Sequence, residues 1–280
     1  MIVDDGSSDN TEAVVLDICK LDQRIEYYKR PSHLPKGANA CRNYGLDKSK
    51  GDFIQFFDSD DIMELTFLET KIEAFNEKID FVISKTLDFI DQDSSKPEII
   101  NDYHYNFTTL PISHFNYASQ KINWLTPDAM IKADIAKQIR FNEHLQRGQE
   151  YNYFVKLTAI TVRGLFIDEF LTRRRLHDNS IKSNFDTSQK VVQAIKLRVH
   201  TLQDIYDITT PNVILWFVGN LAKNATLVRY FPFNQERYIF SKVCKYYGLK
   251  STIQYAFARL SKLIFNKNEV FRKPIKSLSF

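Results

Sequence analysis

Two turns hold most of the side chains in this sequence that could do chemistry. Asp4-Asp5-Gly6-Ser7-Ser8-Asp9 follows the apolar residues MIV, and Asp58-Ser59-Asp60-Asp61 follows FIQFF. Each turn comes directly after a run that reads as a strand, so its carboxylates stand at a strand end, where open α/β sheets bind ligands. Asp58 and Asp60, spaced one apart, can share one divalent cation. Hard oxygen ligands of this kind suit Mg²⁺ or Mn²⁺, which keep part of their water and bridge to phosphate. Acidic turns are also ordinary solvated turns: Asp5-Gly6-Ser7 is common turn chemistry, and Asp9 reads first as a helix cap. Two such turns after successive strands favour the ligand reading.

The elements that would position these turns alternate. Asp9 or Asn10 can cap a helix over 11–21, with Val14, Leu16, Ile18 and Leu21 as its buried stripe. A strand over 24–30, a helix over 38–48, a strand over 53–57, a helix over 65–76 and a strand over 79–84 follow. Alternation of this kind predicts an α/β domain with a largely parallel sheet covered by helices. The stretch 93–127 reads as loop and short strands, 132–139 and 150–160 as helices, and 162–175 as two strands across a tight turn. Helices alone follow, over 187–207, 212–230, 234–247 and 251–265. In the last, Ile253, Phe257, Leu260 and Ile264 keep one helical stripe, with Arg259 and Lys262 off it.

Composition narrows the class. A hydrophobic share of 44% beside 26% charged residues excludes disorder as a description of the whole chain. The length suits one large domain, or one with a smaller helical companion. The net charge of +4 hides a division: residues 182–280 carry 16 Lys/Arg against 5 Asp/Glu, and residues 1–181 carry 22 against 29. Cys19, Cys41 and Cys244 have neither disulfide-framework nor zinc-ligand spacing, which suits a reducing compartment. No apolar run reaches the roughly 20 residues of a membrane span, and MIVDDGSS lacks the features of a signal peptide. A cytoplasmic protein, soluble or bound at a membrane surface, is the expectation.

VDDGSSDNT (3–11), KGANACRNYG (36–45) and GDFIQFFDSDD (51–61) resemble, in order and spacing, the successive signature segments of the family 2 glycosyltransferases. WLTPDAMIKADIAKQIRFNEHLQRGQEYNYFVKL (124–157) resembles the family's acceptor-side stretch, and RRRLHDNSI (173–181) its closing R-x-H-x-x-N-S segment. The resemblance covers roughly 1–182. It implies a GT-A-like domain there, followed by a helical basic region over 183–280 that resembles nothing in the family. The implied activity is inverting transfer of a sugar from a nucleotide diphosphate sugar to a glycan or lipid-linked acceptor, without nucleic acid as a partner.

The resemblance also assigns roles. Asp58 and Asp60 would hold the metal, with Asp61 near the ribose or the sugar. Asp4 and Asp5 would contact the base and ribose, and Arg42 would face the same nucleotide pocket. Inversion needs a base on the far face of the sugar. The family places an acidic pair at a helix start, and here that pair reads Gln149-Glu150. Gln cannot serve, so Glu150 is the candidate base; it reads equally as a first-turn carboxylate favoured by the helix dipole. His177 is a candidate third metal ligand or a surface residue after a strand. Trp124 and Tyr151 read as acceptor-groove or core aromatics. Relatives carry a strand and a helix before the VDDGS turn, so the expectation is a chain short of its first strand that binds nucleotide sugar poorly. The competing readings are a degenerate binding module, a sugar-nucleotide transferase, and a nucleic-acid binder suggested only by the basic tail.

Overall fold

A computed structural model of the chain describes residues 1–90, 99–100, 105–176 and 186–266. The chain forms two compact units. One is Met1–Ile112 with Lys121–His177, and the other is Ser113–Gln120 with Asp178–Phe280.

In the first unit, β1 (Ile2–Asp4) and β2 (Tyr27–Lys29) pair in parallel as a two-stranded sheet, with α1 (Thr11–Leu21) between them in sequence. The larger sheet has the order β3 (Phe53–Gln55), β7 (Ala129–Lys132), β5 (Phe81–Ile90), β8 (Gly164–Leu176), β4 (Ile62–Met63), with β6 (Ile99–Ile100) paired to β5. Only β5 and β8 are parallel in it; the other described pairs are antiparallel. The expected mainly parallel sheet is therefore mixed. Parallel neighbours require a crossover that returns the chain to the same end of the sheet. β7 is instead reached through a 3-10 turn over Thr126–Asp128, and runs back against both β3 and β5.

Strand β5 is the axis of the unit. Phe81, Val82 and Ile83 are fully buried, and Asp80 just before them accepts hydrogen bonds from Arg163 Nε at 2.8 Å and Thr161 Oγ1 at 2.6 Å. A Cβ on Gly164 would come within 2.4 Å of the Phe81 ring, so the start of β8 can lie this close to β5 only as glycine. The tight turn expected inside 162–175 is absent: β8 is one strand of 13 residues. Its polar Asp168-Glu169 forms a bulge, since Ile83 pairs with Phe166 but Lys85 with Phe170, and Lys85 Nζ binds Asp168 at 2.6 Å.

Helix α2 (Ala38–Lys48) has the predicted bounds, and α3 (Phe67–Glu73) and α6 (Gln149–Ile160) lie within or beside theirs. The helix read over 132–139 is shorter: Lys132 still belongs to β7, and α5 spans only Ala133–Ala136. The stripe assigned to α1 is corrected. Val14, Leu16, Ile18 and Leu21 are all exposed, because the helix turns its Thr11–Val15–Cys19 row inward. Trp124 and Tyr151 are core residues; Trp124 is fully buried against Phe81 and Phe154.

The second unit is helical. It contains α4 (His114–Ala118), α7 (Thr187–Ile205), α8 (Pro211–Ala225) and α9 (Phe233–Phe265). Helix α4 falls in a stretch that reads as loop in the sequence; His114 Nε2 lies 2.6 Å from Thr209 Oγ1 just before α8. The two helices expected over 234–247 and 251–265 meet at Gly248, whose φ of 76° and ψ of −180° break α9 there. The predicted apolar stripe of the second segment faces outward, whereas Arg259 is buried. Arg259 donates to the carbonyls of Ala225 and Val228 and to Glu236 Oε1 at 2.5–2.7 Å. Among the described residues no helix is long and apolar enough to cross a membrane.

The Gly248 conformation is open only to glycine, while a Cβ there would meet no atom within 4 Å. Gly248→Ala should therefore destabilise the protein by about 1–3 kcal/mol through backbone strain alone. Urea unfolding followed by far-UV circular dichroism will read this as a lower midpoint; an unchanged midpoint would refute the strain.

Candidate active site

The two acidic turns behave differently. Asp4 turns inward: its carboxylate accepts from the Ser7 N–H at 3.1 Å, from the Ser7 hydroxyl and from Tyr27 OH at 3.3 Å. The Ser7 hydroxyl contributes most to holding its pKa below the usual range. Asp5 accepts from Arg30 Nε at 2.5 Å and from the Gly37 N–H at 3.1 Å. Arg30 also donates to the carbonyl of Leu34, so Asp5 fastens β2 and the 31–37 loop to the end of β1. Asp9 accepts from the Thr11 N–H at 3.0 Å and so serves the start of α1.

The second turn is open and crowded with charge. Asp58 accepts from Arg42 Nη2 of α2 at 2.6 Å, and Asp61 Oδ1 accepts from the Arg175 N–H of β8 at 3.1 Å. Burial pushes the Asp61 carboxyl up to about 6, and repulsion from Asp60 and Asp58 adds to the rise. Arg174 lies within electrostatic reach of both Asp61 and Glu150. It is itself held by Asp88, a buried carboxylate of β5 that accepts from Arg174 Nε at 2.8 Å and Nη2 at 2.9 Å.

Glu150 joins this cluster from the first turn of α6. Two asparagines of α2 clasp the segment that leads into that helix. Asn43 exchanges hydrogen bonds with the backbone of Phe141, and Asn39 donates to the carbonyls of Asn142 and Leu145. Gly148, with φ of 66°, then opens α6. The Glu150 carboxylate accepts from the Thr126 N–H at 2.7 Å and from Thr126 Oγ1 at 2.9 Å, both at Oε2. Among the described residues Oε1 accepts no hydrogen bond. Desolvation raises the Glu150 pKa above its ordinary value, opposed by the Thr126 hydrogen bonds and by the positive charges of Arg174 and Arg42.

Arg42, Asp58, Asp61 and Glu150 thus fall into one electrostatic neighbourhood, with Asp60 inside the same turn. Asp4 and Asp5 are engaged in their own loop contacts, and no described hydrogen bond joins them to that neighbourhood. His177 lies outside the described residues. Among the described residues no group of three or more His, Cys, Asp or Glu is arranged to hold a metal ion. Sequence reading missed Arg174, Asp88 and Thr126. The only signal for the first was the run of three arginines at 173–175 inside an otherwise mixed strand.

Residues 1–140 match the family described as Glycosyl transferase family 2. The chain belongs to that family. This glycosyltransferase is 24% identical over 202 residues to an uncharacterized glycosyltransferase of Methanocaldococcus jannaschii, a match covering 71% of this chain and 67% of that one. A match to a Campylobacter jejuni GalNAc(5)-diNAcBac-PP-undecaprenol beta-1,3-glucosyltransferase reaches 38% identity over 77 residues, covering 28% of this chain and 25% of that one. The matched region spans about a third of an uncharacterized Rickettsia felis glycosyltransferase. Among solved structures, Staphylococcus aureus TarS residues 1–349 superimpose with a TM-score of 0.61 at 13% identity, over 98% of this chain and 80% of that one. The mannosyltransferase PcManGT of Pyrobaculum calidifontis, solved with GDP-Man and Mn²⁺, gives 0.52 at 9%, over 99% and 74%. These likenesses place the fold of the family 2 chain as GT-A-like.

The raised Glu150 pKa has a consequence for stability. Its folded-state pKa lies above the ordinary 4.5, so ionisation in the folded state costs stability at neutral pH, and acidification removes that cost. Glu150→Gln, whose amide oxygen can still accept from Thr126, should be more stable than the parent at pH 7–8. The difference should vanish below about pH 4.5. Thermal melts of both proteins across that range will check the sign; a variant less stable at pH 8 would contradict it.

Proposed function

We propose that this glycosyltransferase moves a sugar from a nucleotide diphosphate sugar to a hydroxyl of a glycan or lipid-linked acceptor, on the cytoplasmic side, with inversion. The observation that carries the reading is the Glu150 carboxylate, with raised pKa, one oxygen tied to Thr126 and the other without a hydrogen bond among the described residues, in one electrostatic neighbourhood with the Asp58–Asp61 turn. A general base works best when its pKa approaches the operating pH. Glu150 takes the proton of the attacking hydroxyl through Oε1, while the positive charges of Arg42 and Arg174 steady the carboxylate that receives it. The ion pair with Asp58 holds Arg42 at the donor side.

The donor set fits a divalent cation. Three carboxylates crowd one turn; burial is the main cause of the raised Asp61 pKa, and repulsion from Asp60 and Asp58 adds to it, a repulsion of the kind that a bound cation relieves. Asp58 and Asp60 would hold Mg²⁺ or Mn²⁺, with His177 as the further ligand proposed from the family pattern. When bound, the ion supplies positive charge against the developing nucleoside diphosphate. Asp4 and Asp5 shape the base and ribose side by fixing the loops after β1 and β2.

Isothermal titration with a panel of UDP- and GDP-sugars in the presence of Mn²⁺ identifies the donor. Asp60→Ala should lose Mn²⁺-dependent donor binding. Glu150→Gln should keep donor binding and lose transfer by about a hundredfold or more. Full transfer by Glu150→Gln would sink the assignment of the base, and donor binding without transfer by the parent would favour a binding module.

The helical unit suits a peripheral membrane contact near a lipid-linked acceptor. Leu249, Ile253, Leu260 and Ile264 are exposed along one side of α9. Residues 250–276 carry seven Lys/Arg, Arg259 being buried, against Glu269 alone, a balance that favours anionic lipid. Co-sedimentation with phosphatidylglycerol vesicles should be salt-sensitive and should fall several-fold in an Ile253→Asp/Leu260→Asp variant. Equal recovery with neutral vesicles would exclude the electrostatic part of this contact.

A further inference from the structure

Both oxygens of a catalytic carboxylate are seldom equivalent, and in Glu150 the difference is built by a single residue. The Thr126 N–H and Oγ1 converge on Oε2, at 2.7 and 2.9 Å, and leave Oε1 for the reaction. Thr126 is buried and stands before Pro127, whose ring fixes its own φ at the second position of the 3-10 turn.

That turn is pinned from three sides. The fully buried Asp128 carboxylate accepts from the Leu125 N–H at 2.6 Å, Thr86 Oγ1 at 2.6 Å and Tyr105 OH at 2.8 Å. The fully buried Lys71 ammonium donates to the carbonyls of Asp128 and Pro127, at 2.8 and 3.1 Å, and to Gln55 Oε1 at 3.2 Å. Gln55 Nε2 returns a bond to the Pro127 carbonyl at 3.0 Å. Burial pulls the Lys71 ammonium down and pushes the Asp128 carboxyl up, and the attraction between them opposes both. Every polar end of this knot is therefore committed to holding the turn. Gln55 closes β3, three residues before Asp58, so the same strand carries the acidic turn and anchors the turn that carries Thr126.

We propose that Thr126 is a positioning residue for the base: its two donors fix Glu150 Oε2, aim Oε1, and lower the cost of ionising the enclosed carboxyl. The proposal rests on the reading of Glu150 as the base. The other charged groups facing Glu150 are Arg42 from α2, paired to Asp58, and Arg174 from β8, paired to Asp88. Neither is touched by a change at Thr126.

Thr126→Val keeps the shape and the backbone N–H and deletes the hydroxyl donor; Thr126→Ser keeps both donors. Carboxyl ¹³C NMR of the full chain, with the Glu150 resonance identified by its loss in Glu150→Gln, reads the ionisation without any substrate. Loss of one hydrogen bond to a charged group should raise the Glu150 pKa by about one unit in Thr126→Val, with little change in Thr126→Ser. With the donor identified above, kcat should fall about tenfold in Thr126→Val at unchanged donor KM, and the acid limb of the kcat/KM profile should move up with the NMR value. An unshifted Glu150 resonance in Thr126→Val would overturn the positioning role, as would loss of turnover without a pH shift. Should Glu150→Gln retain full transfer while Thr126→Val shifts the resonance, the base assignment fails and the hydrogen-bonding geometry survives as structure only.

Discussion

Carboxylates taken out of water cost several kilocalories per mole unless donors or cations meet them, and the sheet end of the first unit is organised around that constraint. Asp88, Asp58, Asp61 and Glu150 come from β5, the turn after β3 and the first turn of α6. Only Asp88 receives a full bidentate arginine; Asp58 has one arginine contact, Asp61 a backbone N–H, and Glu150 a threonine. The stabilisation is thus uneven by construction. The group that is fully paired anchors an arginine, and Asp61 and Glu150, which are short of donors, are the two with raised pKa values.

The elements around the cluster follow from this need for placement. Helix α2 contributes Arg42 on the side of the acidic turn, while Asn39 and Asn43 grip the chain entering α6. One short helix therefore ties the acidic turn to the start of α6. Antiparallel β7 lets the Thr126 turn approach the start of α6 from the sheet, which a helical crossover at that point would prevent. The aromatic stack of Phe141 on Tyr153, with centroids 4.1 Å apart, and Phe56 against both gives that corner its rigidity.

Sequence reading succeeded where local signals were strong. Helix α2 has the bounds predicted for it, with Gly51 closing the stretch, and the two helices predicted over 234–247 and 251–265 meet at Gly248. It failed where two patterns look alike. Val14, Leu16, Ile18 and Leu21 are apolar, but the inward face of α1 is decided by what packs there, and only Val15 is buried. Asp168-Glu169 has turn composition, yet pairing with a long β5 absorbs it as a bulge, because the hydrogen bonds on either side outweigh the local preference. Arg259 is charged and off the apolar stripe, which suggests solvent, but it donates to the carbonyls of Ala225 and Val228, at the end of α8 and in the following loop, and to both oxygens of Glu236.

For the site, sequence by itself marked the candidates: the acidic turn at 58–61 by type and spacing, and Arg42 and the acidic residue at the head of α6 by resemblance to the family segments. It also fixed the family, since those segments keep their order along the chain. The tertiary structure decided what each carboxylate touches. Asp4 and Asp5 look as available as Asp58 and Asp61 in the sequence, but the first pair is committed to Ser7, Tyr27, Arg30 and Gly37. Glu150 is a candidate from the sequence, but that Thr126, distant in sequence, binds one of its oxygens and that burial raises its pKa are decided by the fold. Desolvation and donor count are properties of packing, and packing joins residues that no local pattern connects.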